Sequence, residues 1–189
     1  MTSHYIDLRL LPDPEVHQRH IMGALLGRLH LALVQRKSDA IGVSFPVYSL
    51  RPPSLGAMLR LHGSEQDLQA LMKDNWLGAV CDHVAIGVLQ PVPKEGVTHR
   101  MIRRRQFKTS IERLRRRRMA RKGETAEQAE TAIPQLDVPR PNLPYVQVRS
   151  SSTGHTFSLF VEHGAAYPTP IEGRFNSYGL SDGATVPWF

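Results

Sequence analysis

The 189-residue sequence predicts an α+β protein, as one full domain or two small ones, and three observations carry that expectation. Within the first ninety residues, apolar side chains alternate with period two in some segments and recur at helical spacing in others. Hydrophobic residues make up 41% of the chain and charged residues 22%, proportions of a globular protein that set aside disorder, collagen-like and coiled-coil architectures. No apolar run approaches the roughly 18 residues a membrane helix needs, and Met1 to Leu11 has neither a basic n-region nor an apolar h-region. The single cysteine, Cys81, can form no internal disulfide and lacks the spacing of a zinc site, so a reducing, cytoplasmic setting is expected.

Taken in order, residues 4 to 11 alternate, placing Ile6, Leu8 and Leu10 on one face of a strand. A helix is expected next, with Asp13 as N-cap, Pro14 at its first position and an apolar stripe of Met22, Leu25, Leu26, Leu29 and Leu33, ending near Lys37. Ile41, Val43 and Phe45 mark a second strand and Leu55 to His62 a third, joined by a loop containing Arg51, Pro52 and Pro53. Ser64 with Asp67 resembles a capping box and opens a helix through Met72. Val84, Ile86 and Val88 make a fourth strand, closed by Pro91 and Pro93. The order βαββαβ is the ferredoxin-like pattern, a sheet with helices on one face. Further on, residues 97 to 107 read as extended, and Thr109 to Glu112 as a capping box opening a helix to Lys122 with Gly123 as its cap. An acidic helical segment with Glu124, Glu127 and Glu130 ends at Pro134, and a Pro-rich stretch through Pro144 leads to short strands around Val146, Phe157 to Val161, and Val186. The expected division is a ferredoxin-like domain over residues 1–95 and a second α+β domain, with the arginine-rich helix, over 96–189.

The charge is unevenly placed. Residues 100 to 122 hold 12 of the 24 Lys and Arg and one acid, Glu112, so this segment carries +11 while the rest of a +7 chain carries −4. Solubilising charge would be interspersed with acids; a dense cationic segment on a mildly acidic body implies a localised polyanion site. Ten of the twelve cations are arginine, whose planar fork suits phosphates and base edges. On the helix, Arg113, Arg117 and Arg121 fall at i, i+4 and i+8, and Ile111, Leu114 and Met119 are too few for a buried stripe. Nucleic acid is the leading partner; a solvated charge run or localisation segment is the competing reading of such a stretch.

Several chemistries lack their residues. There is no HExxH, no acidic pair clustered with histidine and no P-loop, so metal-assisted hydrolysis and nucleotide hydrolysis have no candidate site, and no metal or other cofactor is expected. Ser150 to Gly154 forms a polar turn between strands, and Leu55 to His62 has no aromatic residue to stack a base on an RRM-type sheet.

Four motifs point further. Leu26-Gly27-Arg28-Leu29-His30, Arg104-Arg105-Gln106 leading into the arginine helix, Arg149 to Gly154, and Tyr178-Gly179-Leu180-Ser181 followed by Val186-Pro187-Trp188-Phe189 resemble, in order and spacing, the CRISPR repeat-processing endoribonuclease of the type I-F (Ypest) subtype. The resemblance runs essentially end to end. It implies a metal-independent enzyme that cuts precursor CRISPR RNA at the 3′ base of each repeat hairpin and stays on the product, alongside other subunits of a type I-F effector complex.

Read from its pattern alone, His30 is a boundary packing residue on an amphipathic helix. The resemblance instead aligns it with the family's catalytic histidine. RNA carries its own nucleophile, so the protein need only set the 2′-hydroxyl in line with the next phosphate and remove its proton, a task that suits a histidine at neutral pH. The products would be a 2′,3′-cyclic phosphate and a 5′-hydroxyl. Ser150 matches the serine that holds the reacting hydroxyl, Ser152 a second active-site serine and Tyr178 a tyrosine that orients the histidine; singly, all three would pass as structural. Arg104 and Gln106 match the pair that reads guanine and adenine edges at the bottom of the stem, and Phe157 an aromatic that stacks on the end of the hairpin. Arg113, Arg116, Arg117 and Arg121 would meet phosphates in the major groove of the short hairpin. Ala120 stands where the family commonly has arginine, and Arg118 where it commonly has an apolar residue. Two rivals remain: a hairpin-binding subunit without catalysis, and a DNA-binding or localisation role for the basic segment.

Overall fold

The computed structural model describes residues 2–107, 111–134, 142–150 and 154–189, with the backbone alone described at 111–113. It is mixed α+β with antiparallel sheets, in two compact units: residues 1–105 with 143–189, and residues 106–142. Strands from the later part of the chain share the core of the first unit.

In the first unit, β1 (His4–Leu10) lies between β5 (Met58–Gly63) and β6 (Val84–Ile86), all antiparallel, with Leu8 opposite Leu59 and Ile86. β2 (Gly42–Ser44) borders β5, and β7 (Gln90–Pro91) also pairs with β1. Ile6, Leu8 and Leu10 are buried, as their alternation requires. β6 stops two residues short of Val88, which is 70% exposed. Gly87 donates its N–H to the Asp7 carbonyl at 2.7 Å, an approach that brings a would-be Cβ to 3.0 Å of the same oxygen, and beyond it the pairing with β1 resumes at β7 one residue out of register. The proline loop is also more ordered than expected: β3 (Ser49–Leu50) and β4 (Pro53–Ser54) form a small hairpin around a cis Arg51–Pro52 bond.

Helix α1 (Gln18–Arg36) begins later than the Asp13-Pro14 signal implies. The Asp13 carboxylate instead accepts the backbone N–H groups of Glu15 and Val16, each at 2.8 Å, and these bonds hold it below the usual carboxylate range. That closes a turn ahead of the helix, and His17 becomes the cap, its Nδ1 accepting from the Arg19 N–H at 3.1 Å. The stripe Met22, Leu25, Leu26, Leu29 and Leu33 is buried as expected, and the helix ends at Lys37 in the left-handed region. Ser64 caps α2 (Glu65–Lys73), accepting the Asp67 N–H at 3.1 Å.

A second antiparallel sheet runs in the order β13 (Val186–Trp188), β8 (Thr98–Arg105), β10 (Thr156–Tyr167), β9 (Tyr145–Arg149). β10 is much longer than the expected Phe157–Val161, and its register shifts between His163 and Ala166. Helix α1 packs on β9, so Val146, Val148, Leu159 and Val161 join Leu25, Leu29 and Leu59 in one apolar core. Gly23 allows that approach: a Cβ there would run into the Gln147 carbonyl oxygen and sit 3.2 Å from its carbon. One turn on, a Cβ at Gly27 would meet Val148 Cγ1 at an ordinary 3.7 Å.

A buried histidine, His62, and a half-buried one, His163, sit in this unit. His62 Nε2 is 2.8 Å from Ser44 Oγ, and burial, with Arg60 adding repulsion, pushes its pKa down to about 3. His163 stacks on Tyr48 at 3.6 Å and meets Phe45 and Trp188 edge-on; burial and then Arg100 push it down to about 4.

The second unit pairs α3 (Ile111–Lys122) with α4 (Ala126–Ala132). Gly123, at φ 65°, closes α3 by donating to the Met119 carbonyl at 2.8 Å, and Thr125 with Gln128 forms a capping box on α4. The expected box at Thr109 and Glu112 lies outside the described residues.

Candidate active site and nucleic-acid interface

Asn176 builds the turn that presents the site. Its Oδ1 accepts the N–H groups of Tyr178 at 2.8 Å and Leu180 at 3.2 Å, and its own N–H bonds the Leu180 carbonyl at 2.8 Å. Gly179, at φ 71°, completes the turn, and its carbonyl accepts the Val43 N–H at 2.8 Å, which ties the turn to β2. His30 meets this turn from α1. Its Nδ1 lies 3.0 Å from the Ser177 carbonyl oxygen, and its ring stacks on Tyr178 at 4.1 Å and 6°. A carbonyl only accepts, so Nδ1 carries the proton and the neutral ring keeps its lone pair at Nε2. The ring is thus held on two sides while the residue remains half-buried, facing a groove of about 450 Å³.

Tyr178 is buried, which raises its hydroxyl pKa against a smaller opposing pull from Arg104. Arg104, on β8, lies with its guanidinium carbon 5.2 Å from the centre of the Phe157 ring and 6.0 Å from that of Tyr178. Phe157, on β10, meets Tyr178 edge-on at 6.5 Å. The fold therefore brings His30, Tyr178, Arg104 and Phe157 into one connected cluster. Ser150 ends β9: its N–H donates to the His155 carbonyl and its carbonyl accepts the Gly154 N–H, both at 2.9 Å. Ser152 lies outside the described residues.

In the second unit Gln106 is exposed, and so are Arg116, Arg117 and Arg121; the side chain of Arg113 lies outside the described set. Two other arginines of α3 are engaged within the unit. Arg115 binds Glu130 at 2.7 Å and the Ile133 carbonyl at 3.0 Å. Arg118 makes a bidentate pair with Glu124 that holds this carboxyl below its usual range. Sequence reasoning counted the helix's arginines together; the signal that separates them is the acidic segment just downstream, whose carboxylates claim one face. It also missed the Ser177 carbonyl, a backbone group with no side-chain signature. Among the described residues, no group of three or more His, Cys, Asp or Glu could hold a metal ion.

These features define an antiparallel α+β protein with a histidine–tyrosine site and a helix dense in arginine. A family model described as "CRISPR-associated protein (Cas_Csy4)" matches residues 5–189. The chain is 45% identical over 187 residues to "CRISPR-associated endonuclease Cas6/Csy4" of Pseudomonas aeruginosa (strain UCBPP-PA14), covering 99% of this chain and all of the relative. It is 41% identical, with the same coverage, to the protein of the same name from Escherichia coli (strain UTI89 / UPEC). The chain belongs to the Cas_Csy4 family of CRISPR-associated proteins.

Proposed function

We propose that the chain is a CRISPR-RNA-processing endoribonuclease that cuts repeat RNA at the 3′ base of its hairpin without a metal ion. The relatives' shared name, endonuclease, supports the activity. The observation that carries the mechanism is the Ser177 carbonyl on His30 Nδ1, which reserves Nε2 as the base. On this reading Nε2 takes the proton of the ribose 2′-hydroxyl, the 2′-oxygen bonds to the adjacent phosphorus, and the P–O5′ bond breaks. The leaving oxygen takes up a proton, and the products are a 2′,3′-cyclic phosphate and a 5′-hydroxyl. Tyr178 fixes the plane of the imidazole; Ser150 and Ser152 hold the reacting ribose. RNA supplies the nucleophile, so no bound water has to be activated by a metal.

Recognition divides between stem and backbone. Arg104, positioned by the Phe157 and Tyr178 rings, and Gln106 read base edges at the bottom of the stem, while Phe157 offers a stacking surface to the terminal pair. Arg113, Arg116, Arg117 and Arg121 meet phosphates, and these contacts keep the product hairpin bound for assembly into a type I-F effector complex. Residues 1–95 then form a ferredoxin-like domain carrying the catalytic histidine, and residues 96–189 an RNA-binding domain carrying the arginine-rich helix and the serine turn.

The test is incubation with repeat RNA in excess EDTA, followed by analysis of the product ends. A cyclic phosphate and a 5′-hydroxyl are expected; a strict need for added magnesium or manganese would overturn the mechanism. Tight binding without any cutting would leave a hairpin-binding subunit.

A further inference from the structure

We propose that the groove between α1 and the edge strand β9 binds the RNA strand immediately 3′ of the cut, the part that departs with the 5′-hydroxyl. The inference rests on the nuclease reading above and extends it to the leaving strand.

The argument starts from the geometry of the reaction. In an in-line displacement the attacking 2′-oxygen and the leaving 5′-oxygen stand on opposite sides of phosphorus, so the two RNA segments leave the base in different directions. His30 has two different surroundings. On one side lie Tyr178 and, beyond it, Arg104 and Phe157, the residues assigned to the hairpin. On the other lies the groove, whose lining includes His30 but none of those three. The leaving strand needs a path starting at His30 and not shared with the stem, and the groove is such a path.

Its walls suit a nucleic-acid strand. β9 is the outer strand of its sheet; Val146 and Val148 point into the core, while Gln147 and Arg149 are exposed and line the groove. Across from them α1 offers Ala24 and Gly27, small residues that leave the floor clear, and Arg28, whose guanidinium lies against Gly78. Arg28 and Arg149 stand on opposite walls, and among the described residues no carboxylate lines the space. The volume of about 450 Å³ is of the order of a small-ligand site, enough for about one nucleotide in contact before the strand runs on into solvent. Two exposed arginines and the Gln147 amide, with no acid among the described lining residues, suit phosphate oxygens.

The experiment uses two RNAs, each with a 2′-deoxy sugar at the scissile ribose: a hairpin ending at the cut, and the same hairpin with four more 3′ nucleotides. The protein should bind the longer RNA about tenfold more tightly, the size two exposed arginine–phosphate pairs can provide. Ala24→Glu, which places bulk and negative charge on an exposed helical position of the floor, should erase this difference and leave the short hairpin's affinity within twofold. Arg28→Ala should flatten the salt dependence of the longer RNA alone by about 0.7 of a unit of slope. A 4-thiouridine at the first nucleotide past the cut should crosslink to residues 24–28 or 147–149. Equal affinity for both RNAs, equal weakening of both by Ala24→Glu, or crosslinking to residues 111–122 would each overturn the groove assignment alone. Failure to bind either hairpin would overturn the nuclease reading with it.

Discussion

Alanine at Gly23 and at Gly27 should move stability in opposite directions, although the two substitutions are chemically identical and lie one turn apart on α1. At residue 27 the new methyl group would meet Val148 Cγ1 at 3.7 Å, an ordinary contact, so the gain in helix propensity of about 0.8–1 kcal/mol should appear almost intact. At residue 23 the methyl group runs into the Gln147 carbonyl oxygen, which belongs to β9 and cannot rotate aside. Helix and strand would have to part by roughly 1 Å, an overpacking cost at the upper end of the usual range, about 3 kcal/mol. Less the same propensity gain, Gly23→Ala should lose about 2 kcal/mol, or about 4–8 °C in midpoint for a chain of this length. It should also slow cleavage, because α1 carries His30 and β9 leads into Ser150. Urea unfolding monitored by circular dichroism, with single-turnover cleavage on the same samples, reads both effects. A Gly23→Ala variant as stable as the parent, or equal shifts at the two positions, would show that the helix–strand approach is not as close as described.

Other consequences can be checked as directly. His30→Ala should abolish cleavage while hairpin affinity stays within a few-fold, since a base acts on the transition state more than on the bound ground state; unchanged rates would remove the residue from the mechanism. Neutralising Arg116, Arg117 and Arg121 together should weaken hairpin binding on every sequence and lower the salt slope by about one unit per lost contact, whereas Arg118→Ala should cost much less affinity because that side chain is committed to Glu124; equal effects in titrations at several salt concentrations would contradict this sorting. Arg104→Ala and Gln106→Ala should each cost about 1–3 kcal/mol on the cognate stem and far less on a stem with altered bottom pairs, and equal losses on both would mean phosphate contacts. His62 and His163 are depressed to about 3 and about 4 in the fold, so between about pH 6.5 and 4 the unfolded chain binds protons the folded one refuses. Their contribution is full above pH 6.5 and is lost on acidification through that window; urea unfolding at pH 7, 6 and 5 should show falling stability, and a flat profile would refute the assignment.

Much of the first half was legible because burial there follows period. Ile6, Leu8 and Leu10, and Met22 through Leu33, have one face each, and the core takes that face. Boundaries were less legible where two local signals competed. Asp13-Pro14 is a valid helix start, yet Asp13 forms a stable turn by itself and His17 inherits the cap. Val88 continues an alternation that ends at Gly87, where the pairing with β1, about eighty positions earlier in the chain, slips by one residue. In the candidate site, the family resemblance named residues and said nothing of their geometry. The Ser177 carbonyl is invisible in any side-chain pattern, and the difference between Arg117 and Arg118 depends on carboxylates that the α3–α4 turn swings into reach.

The bond between His30 and the Ser177 carbonyl joins positions 147 residues apart, and the turn that presents Ser177 is itself tied to β2 by the Val43 N–H on the Gly179 carbonyl. Contacts of such separation close late in folding. On the proposed reading, a ribosome-bound chain can already display the arginine helix, and so collect RNA, before residues 177 and 178 have emerged. Capture would then precede cutting during synthesis itself, and an unfinished chain would be a binder without a blade.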